Sequence, residues 1–127
     1  MSLQLLTLIS IVVFFTTGAV SGTEVVKAVG EEVSFGPDKL PASVSSITWK
    51  HIKGAETVKA IEWEDGVTDT PNPRFSGITT LDTATGQITI KNLKIEHSGV
   101  YTIDISSKEQ AQRFTLTVMG EWMLIIH

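Results

Sequence analysis

The residues able to do chemistry in this chain are few and badly placed for it. Asp82-Thr83 is followed by Ala84, where the catalytic loop of an aspartic protease needs glycine, so the pair reads as a turn. His51, His97 and His127 have no zinc-ligand spacing, and with no cysteine in the chain a structural metal site is not expected. No glycine-rich phosphate loop follows a strand and opens a helix, and no serine elbow of the G-x-S-x-G kind occurs. These absences point away from catalysis, and neither a cofactor nor a metal is expected. What remains is a protein that acts through its surface.

Composition narrows that surface. The formal charge is −4, all of it arising after residue 22, and the ten lysines and arginines are scattered. A nucleic-acid binder needs a basic stripe that releases phosphate counterions, and there is none here. Residues 3–15, LQLLTLISIVVFF, are apolar but shorter than the roughly 20 residues needed to cross a bilayer. Followed by the small residues of GAVSG, they read as a secretory leader spanning residues 1–22, although no Lys or Arg precedes the apolar run. The mature chain then starts near Thr23. A domain is expected over residues 23–119, with a short tail over 120–127. Secretion delivers the chain to an oxidising space where disulfides are normal, so the absence of cysteine is informative.

After the leader, short alternating apolar stretches are separated by Gly, Pro, Asp and Asn, the pattern of an all-β sandwich. The candidate strands are EVVKAV, EVSF, SSITWKHI, TVKAIEW, GITTL, QITIKNL, VYTIDIS and RFTLTVM. Turns are expected at Asp65-Gly66, Thr85-Gly86 and Pro71-Asn72-Pro73. Successive side chains in a strand point to opposite sides. By that rule Val33, Phe35, Ile47, Trp49, Ile88, Ile90, Tyr101, Ile103, Ile105, Phe114, Leu116 and Val118 face inward, with Leu93 closing one end.

The stretches GEEVSF, Trp49, RFSG, LDTATGQITIKNL and HSGVYTI together resemble an immunoglobulin V-set domain. Within that superfamily the chain is most similar to the amino-terminal domains of the SLAM family and of lymphocyte-function-associated antigen three, several of which lack the inter-sheet cystine. The resemblance covers roughly residues 25–118. It implies an immunoglobulin V-type sandwich of two antiparallel sheets without that disulfide. The strand-B cysteine position then falls near Pro37 and its strand-F partner at Ile103. Pro37, with no N–H to donate, is compatible only with the end of strand B. Tyr101 is expected to bond backbone just upstream. Arg74 is present where such domains open strand D, but its usual acidic partner's place holds His97. Glu96 is an alternative partner, and absence of the pair is another.

The resemblance also implies recognition of a protein partner, another V-set receptor or a second copy, through the sheet of strands G, F, C and C′. Alternation places Thr48, Lys50 and Ile52, then Thr102 and Asp104, then Arg113 and Thr115 on its outward side. Strand C′ is ambiguous. Either Lys59, Ile61 and Trp63 face out, or Val58, Ala60 and Glu62 do, and the first is favoured because Trp is a common interface anchor. The candidate partner-binding residues are therefore Lys50, Ile52, Lys59, Trp63, Asp104 and Arg113. The apolar run from Trp122 to Ile126 is too short to span a bilayer, which suggests a secreted product or a fragment of an anchored parent at the cell surface. No N-x-S/T glycosylation sequon occurs.

Overall fold

Four aromatic side chains from two facing β-sheets meet at the centre of the molecule, and the strands are arranged around them. The structure, a computed structural model, describes residues 12–17 and 20–120, with side chains from residue 22 onward. Eleven strands are assigned among these residues: β1 (Val12–Thr17), β2 (Val20–Ala28), β3 (Val33–Phe35), β4 (Ser46–Lys53), β5 (Glu56–Glu64), β6 (Val67–Asp69), β7 (Thr79–Asp82), β8 (Gln87–Ile90), β9 (Gly99–Ile105), β10 (Lys108–Glu109) and β11 (Arg113–Met119). A short 3-10 turn, Ile95–His97, precedes β9. The larger sheet runs β1-β2-β11-β9-β4-β5-β6, with β10 folded back on β9, and the smaller runs β3-β8-β7. Pairing is antiparallel except that β2 lies parallel to β11, from Gly22 opposite Arg113 to Ala28 opposite Met119.

The stretch read as a leader contributes β1 and the first residues of β2, and the two pair antiparallel. Cleavage after Ser21 or Gly22 would remove β1 yet leave nearly all of the β2–β11 ladder. Residues 1–11, 18–19 and 121–127 lie outside the described residues, and with them most of the apolar leader core and all but Gly120 of the tail.

The core follows from alternation. Val33 and Phe35 of β3, Ile47 and Trp49 of β4, Ile88 and Ile90 of β8, Tyr101, Ile103 and Ile105 of β9, and Phe114, Leu116 and Val118 of β11 are all buried, as is Leu93. Trp49 and Ile103 sit directly opposite one another in the β4–β9 ladder, both fully buried. The smaller sheet answers them with Phe35, whose ring centroid lies 5.0 Å from Phe114, 5.4 Å from Tyr101 and 6.5 Å from Trp49. Trp49 also reaches across with its polar end, its Nε1–H donating to the Gly86 carbonyl at 2.9 Å. Gly86 has φ +82°, and a Cβ there would come within 3.1 Å of Leu40 and Pro37, so this turn position needs glycine. Pro37 lies beyond the end of β3, half-buried against that turn, where its missing N–H costs no ladder bond.

At the opposite end of the sandwich the Tyr101 hydroxyl donates to the His97 carbonyl four residues upstream. Burial pushes that hydroxyl far above its ordinary titration range, so it stays protonated and remains a donor. His97 occupies the place of the usual acid and bonds Arg74 differently from an acid. Its Nδ1 accepts the Lys94 N–H at 2.9 Å, which leaves Nε2–H to donate to the Arg74 carbonyl at 2.8 Å. The Arg74 guanidinium instead pairs with Glu56 at 3.0 Å.

Phe35→Ala is expected to cost about 3–5 kcal/mol in denaturant unfolding, the range for losing a buried Phe. A cost near about 1 kcal/mol, the size of a typical surface-level loss, would show that Phe35 does not bridge the layers.

Candidate interaction face

The outward side of the larger sheet carries charge at its centre. Lys50 stands on β4 next to Trp49 and therefore points the opposite way. Its ammonium lies 2.8 Å from Glu109 Oε1 on β10 and 3.2 Å from Asp104 Oδ1 on β9. The bond to Glu109 raises the Lys50 pKa against the cost of burial, and the same bond holds Glu109 below the usual carboxylate range. Lys50 is thus a cation already shared between two carboxylates. Beside it Thr48 and Thr102 are buried beneath the surrounding side chains, and the Thr102 hydroxyl has no hydrogen-bond partner among the described residues. Ile52 is half-buried, Arg113 is exposed and Thr115 half-buried.

Strand β5 breaks the alternation on which its reading rested. Trp49 pairs with Ile61 but Lys50 pairs with Lys59, so Ala60 is an extra residue opposite the Trp49–Lys50 step, a β-bulge. Parity reverses across it. Lys59 faces out with Lys50. Ile61, opposite Trp49, is buried, and Glu62, opposite Thr48, faces out and accepts the Thr48 hydroxyl at 3.0 Å. Trp63, opposite Ile47, is half-buried against the core, and so is Val58 on the other side of the bulge.

Neither regular register describes the whole strand. Lys59 and Glu62 share the outer side, while Val58, Ala60, Ile61 and Trp63 line the inner one. The expectation that Ile61 and Trp63 face outward with Lys59 is corrected accordingly. Lys59 and Glu62 form an ion pair at 3.2 Å, which residues three apart reach in a strand only if an extra residue intervenes. Two charges flanking the adjacent apolar pair Ala60-Ile61 were the sequence signal for this bulge. Glu62 and Glu109 were the face residues that alternation alone did not single out together.

The outer side therefore brings together Lys50, Lys59, Asp104 and Arg113, with Glu62 and Glu109 added and Ile52 at one end. Among the described residues no group of His, Cys, Asp and Glu is arranged to hold a metal ion. Nor is any helix among them long and apolar enough to cross a membrane.

The model of the natural killer cell receptor 2B4 family matches residues 18–120. The chain belongs to that family. It is an immunoglobulin-like adhesion and recognition receptor domain, a V-type sandwich without the inter-sheet disulfide. Among solved structures it is similar to the first Ig-like domain of human CD48, with TM-score 0.71 and 19% identity over 86% of this chain and 91% of that one. The CD2-binding domain of CD58 matches with TM-score 0.62 and 24% identity over 75% of this chain. The chain spans about half of that CD58 structure, 52%. CD84 matches with TM-score 0.61 and 18% identity, over 77% of this chain and 97% of that one. No curated protein sequence matches.

The orientation of β5 can be checked by paired truncations. Trp63→Ala should lower unfolding stability by about 1–3 kcal/mol because the ring contributes to the core, whereas Lys59→Ala should change it by less than about 0.5 kcal/mol. The reverse ranking would mean that the bulge does not set the phase.

Proposed function

We propose that this chain is the recognition domain of an immune-type adhesion receptor, and that it binds a related V-set domain through the outward side of β11, β9, β4 and β5. One observation carries the reading. The centre of this face holds paired charged side chains, half-buried Lys50 and Asp104 with exposed Glu109 closing over them, above two buried threonines. A merely solvated sheet face has no need to hold its charges in fixed positions. Prearranged charges set orientation and partner choice and speed encounter, and they add less to raw affinity. Contacts of this kind serve adhesion when many act together across a junction. Family membership and the likeness to a CD2-binding domain support the same partner class.

On this reading residues 1–22 act as a secretory leader, and the domain works outside the cell, either free or as part of an anchored form. It carries no enzymatic activity and needs no cofactor.

A second copy of the chain is the alternative occupant. The face bears both signs at exposed positions, Lys59 and Arg113 against Glu109, so it has the means to complement itself. A soluble, self-pairing or decoy form would use the same surface.

Surface plasmon resonance against a panel of V-set receptor domains of this family tests the reading. The double variant Lys59→Glu, Arg113→Glu alters two exposed side chains and should weaken binding at least about tenfold, with unfolding stability within about 0.5 kcal/mol of the parent. Sedimentation of the pure domain distinguishes self-pairing. If reversal of Lys50, Asp104 and Arg113 together left binding unchanged, the face assignment would fall.

A further inference from the structure

His51 lies on β4 immediately after Lys50 and so turns back into the sandwich, where it is fully buried. Its ring joins three parts of the chain. Nδ1 lies 3.1 Å from the Arg74 guanidinium, on the loop between β6 and β7. Nε2 lies 2.9 Å from the Ser98 carbonyl, just before β9. A guanidinium only donates and a carbonyl only accepts, so the ring must be neutral, with Nδ1 accepting and the proton on Nε2. Its faces are also occupied. Tyr101 stacks at 4.7 Å with 21° between planes, and Phe75 meets it edge-on at 5.3 Å. At Gly99, which has φ +144°, a Cβ would come within 2.8 Å of His51 Nε2, so the ring is also confined against the backbone.

We propose that this cluster is an acid-sensitive latch: a second proton on His51 releases Arg74 and, with it, the loop that carries Phe75 into the core. Protonation at Nδ1 replaces an acceptor with a donor that faces a fixed cation. The ring has no free space in which to turn away. The Arg74 guanidinium is the group that can move, because its other side-chain contact, Glu56, lies on the exposed rim and can follow it, and the bond from His97 Nε2–H to the Arg74 carbonyl then has to yield for the loop to leave. The charged and titratable groups around His51 are Arg74 and Glu56, His97 from the 3-10 turn, Tyr101 from β9 and Lys53 on its own strand. Burial holds the ring below its ordinary titration range, and the Arg74 and Lys53 charges press the same way. The Ser98 carbonyl works against them.

The sign follows from that depression. In the unfolded chain His51 takes up its proton near pH 6.5, while the folded ring resists it. Stability is therefore fully present above about pH 6.5 and is lost as pH falls below it, down to the folded value, with the folding constant dropping up to about tenfold per pH unit.

The test combines a ¹³C/¹⁵N NMR titration of the histidine rings with hydrogen exchange from pH 7.5 to 5, corrected for intrinsic rates. In the parent domain His51 should titrate below a free histidine, and amides of residues 72–78 should lose protection before those of β11. Arg74→Gln should raise the His51 midpoint, and His51→Gln should flatten the pH dependence of stability between pH 7 and 5. The latch is overturned if His51 titrates at or above the free value, if Arg74→Gln leaves the midpoint unmoved, or if residues 72–78 and β11 lose protection together. Should His51→Gln not fold, the titration of the parent and of Arg74→Gln still decides.

Discussion

The fold depends on what joins its two layers where sulfur does not. Phe35 supplies the joint from the smaller sheet, and Trp49, Tyr101 and Phe114 receive it from the larger one. Loss of a native disulfide typically costs about 2–5 kcal/mol. Burying one large apolar side chain recovers roughly 1.5–3 kcal/mol, and each favourable aromatic pair adds about 0.5–1.5 kcal/mol. A phenylalanine with three ring neighbours is therefore of the right size to stand in for the bond in the folded state. It does nothing for the unfolded chain, whose freedom a disulfide would have limited. The Trp49 hydrogen bond to Gly86 adds direction to this contact, fixing the β7–β8 turn over the ring edge.

Strand β4 shows how one short segment serves several layers of the structure. Trp49 enters the core, Lys50 the outer face and His51 the core again, nearer the opposite end. The bulge at Ala60 falls beside the first step of that series. With it, Ile61 stays against Trp49 and Lys59 stays beside Lys50 even though the two are only two residues apart in the same strand. Without the bulge Ala60 would take the place opposite Lys50, and Lys59 and Ile61 would fall on one side of the strand. Core and face are thus held in phase by a single irregularity, and a change at Ala60 acts on both.

The all-β class, the sandwich and most inward positions were legible because the apolar alternation in β3, β4, β8, β9 and β11 is unbroken. Where the strand is regular, parity alone decides, as it does for Lys50 and Asp104. It fails in β5 because alternation presupposes a regular ladder and the bulge inserts one residue; the trace it leaves is the pair of charges, Lys59 and Glu62, flanking the adjacent apolar Ala60 and Ile61. The short strands β6 and β10 escaped notice because two or three polar residues leave no period to read, yet β10 carries Glu109, which pins Lys50. The pairing of Arg74 was illegible for another reason. Its partners come from β4 and β5, far away in sequence, and the choice between an acid and a neutral acceptor depends on how the chain brings them together.

That choice changes the character of the end of the sandwich. An arginine paired to a carboxylate there would hold two opposite charges, with its strength set by desolvation and geometry and little affected by pH near neutrality. Here the guanidinium is divided between an exposed carboxylate, Glu56, and a neutral imidazole, His51, while the second imidazole, His97, bonds only backbone. The exposed ion pair adds little by itself. Most of the hold on the Arg74 guanidinium therefore rests with a ring whose acceptor exists only in one protonation state. The stacked Tyr101 shares that ring's surface and ties the adjoining turn through its hydroxyl. The hold on the Arg74 side chain at this end is consequently linked to the charge on His51, while the Phe35 cluster at the centre contains no titratable group except a tyrosine that burial keeps neutral.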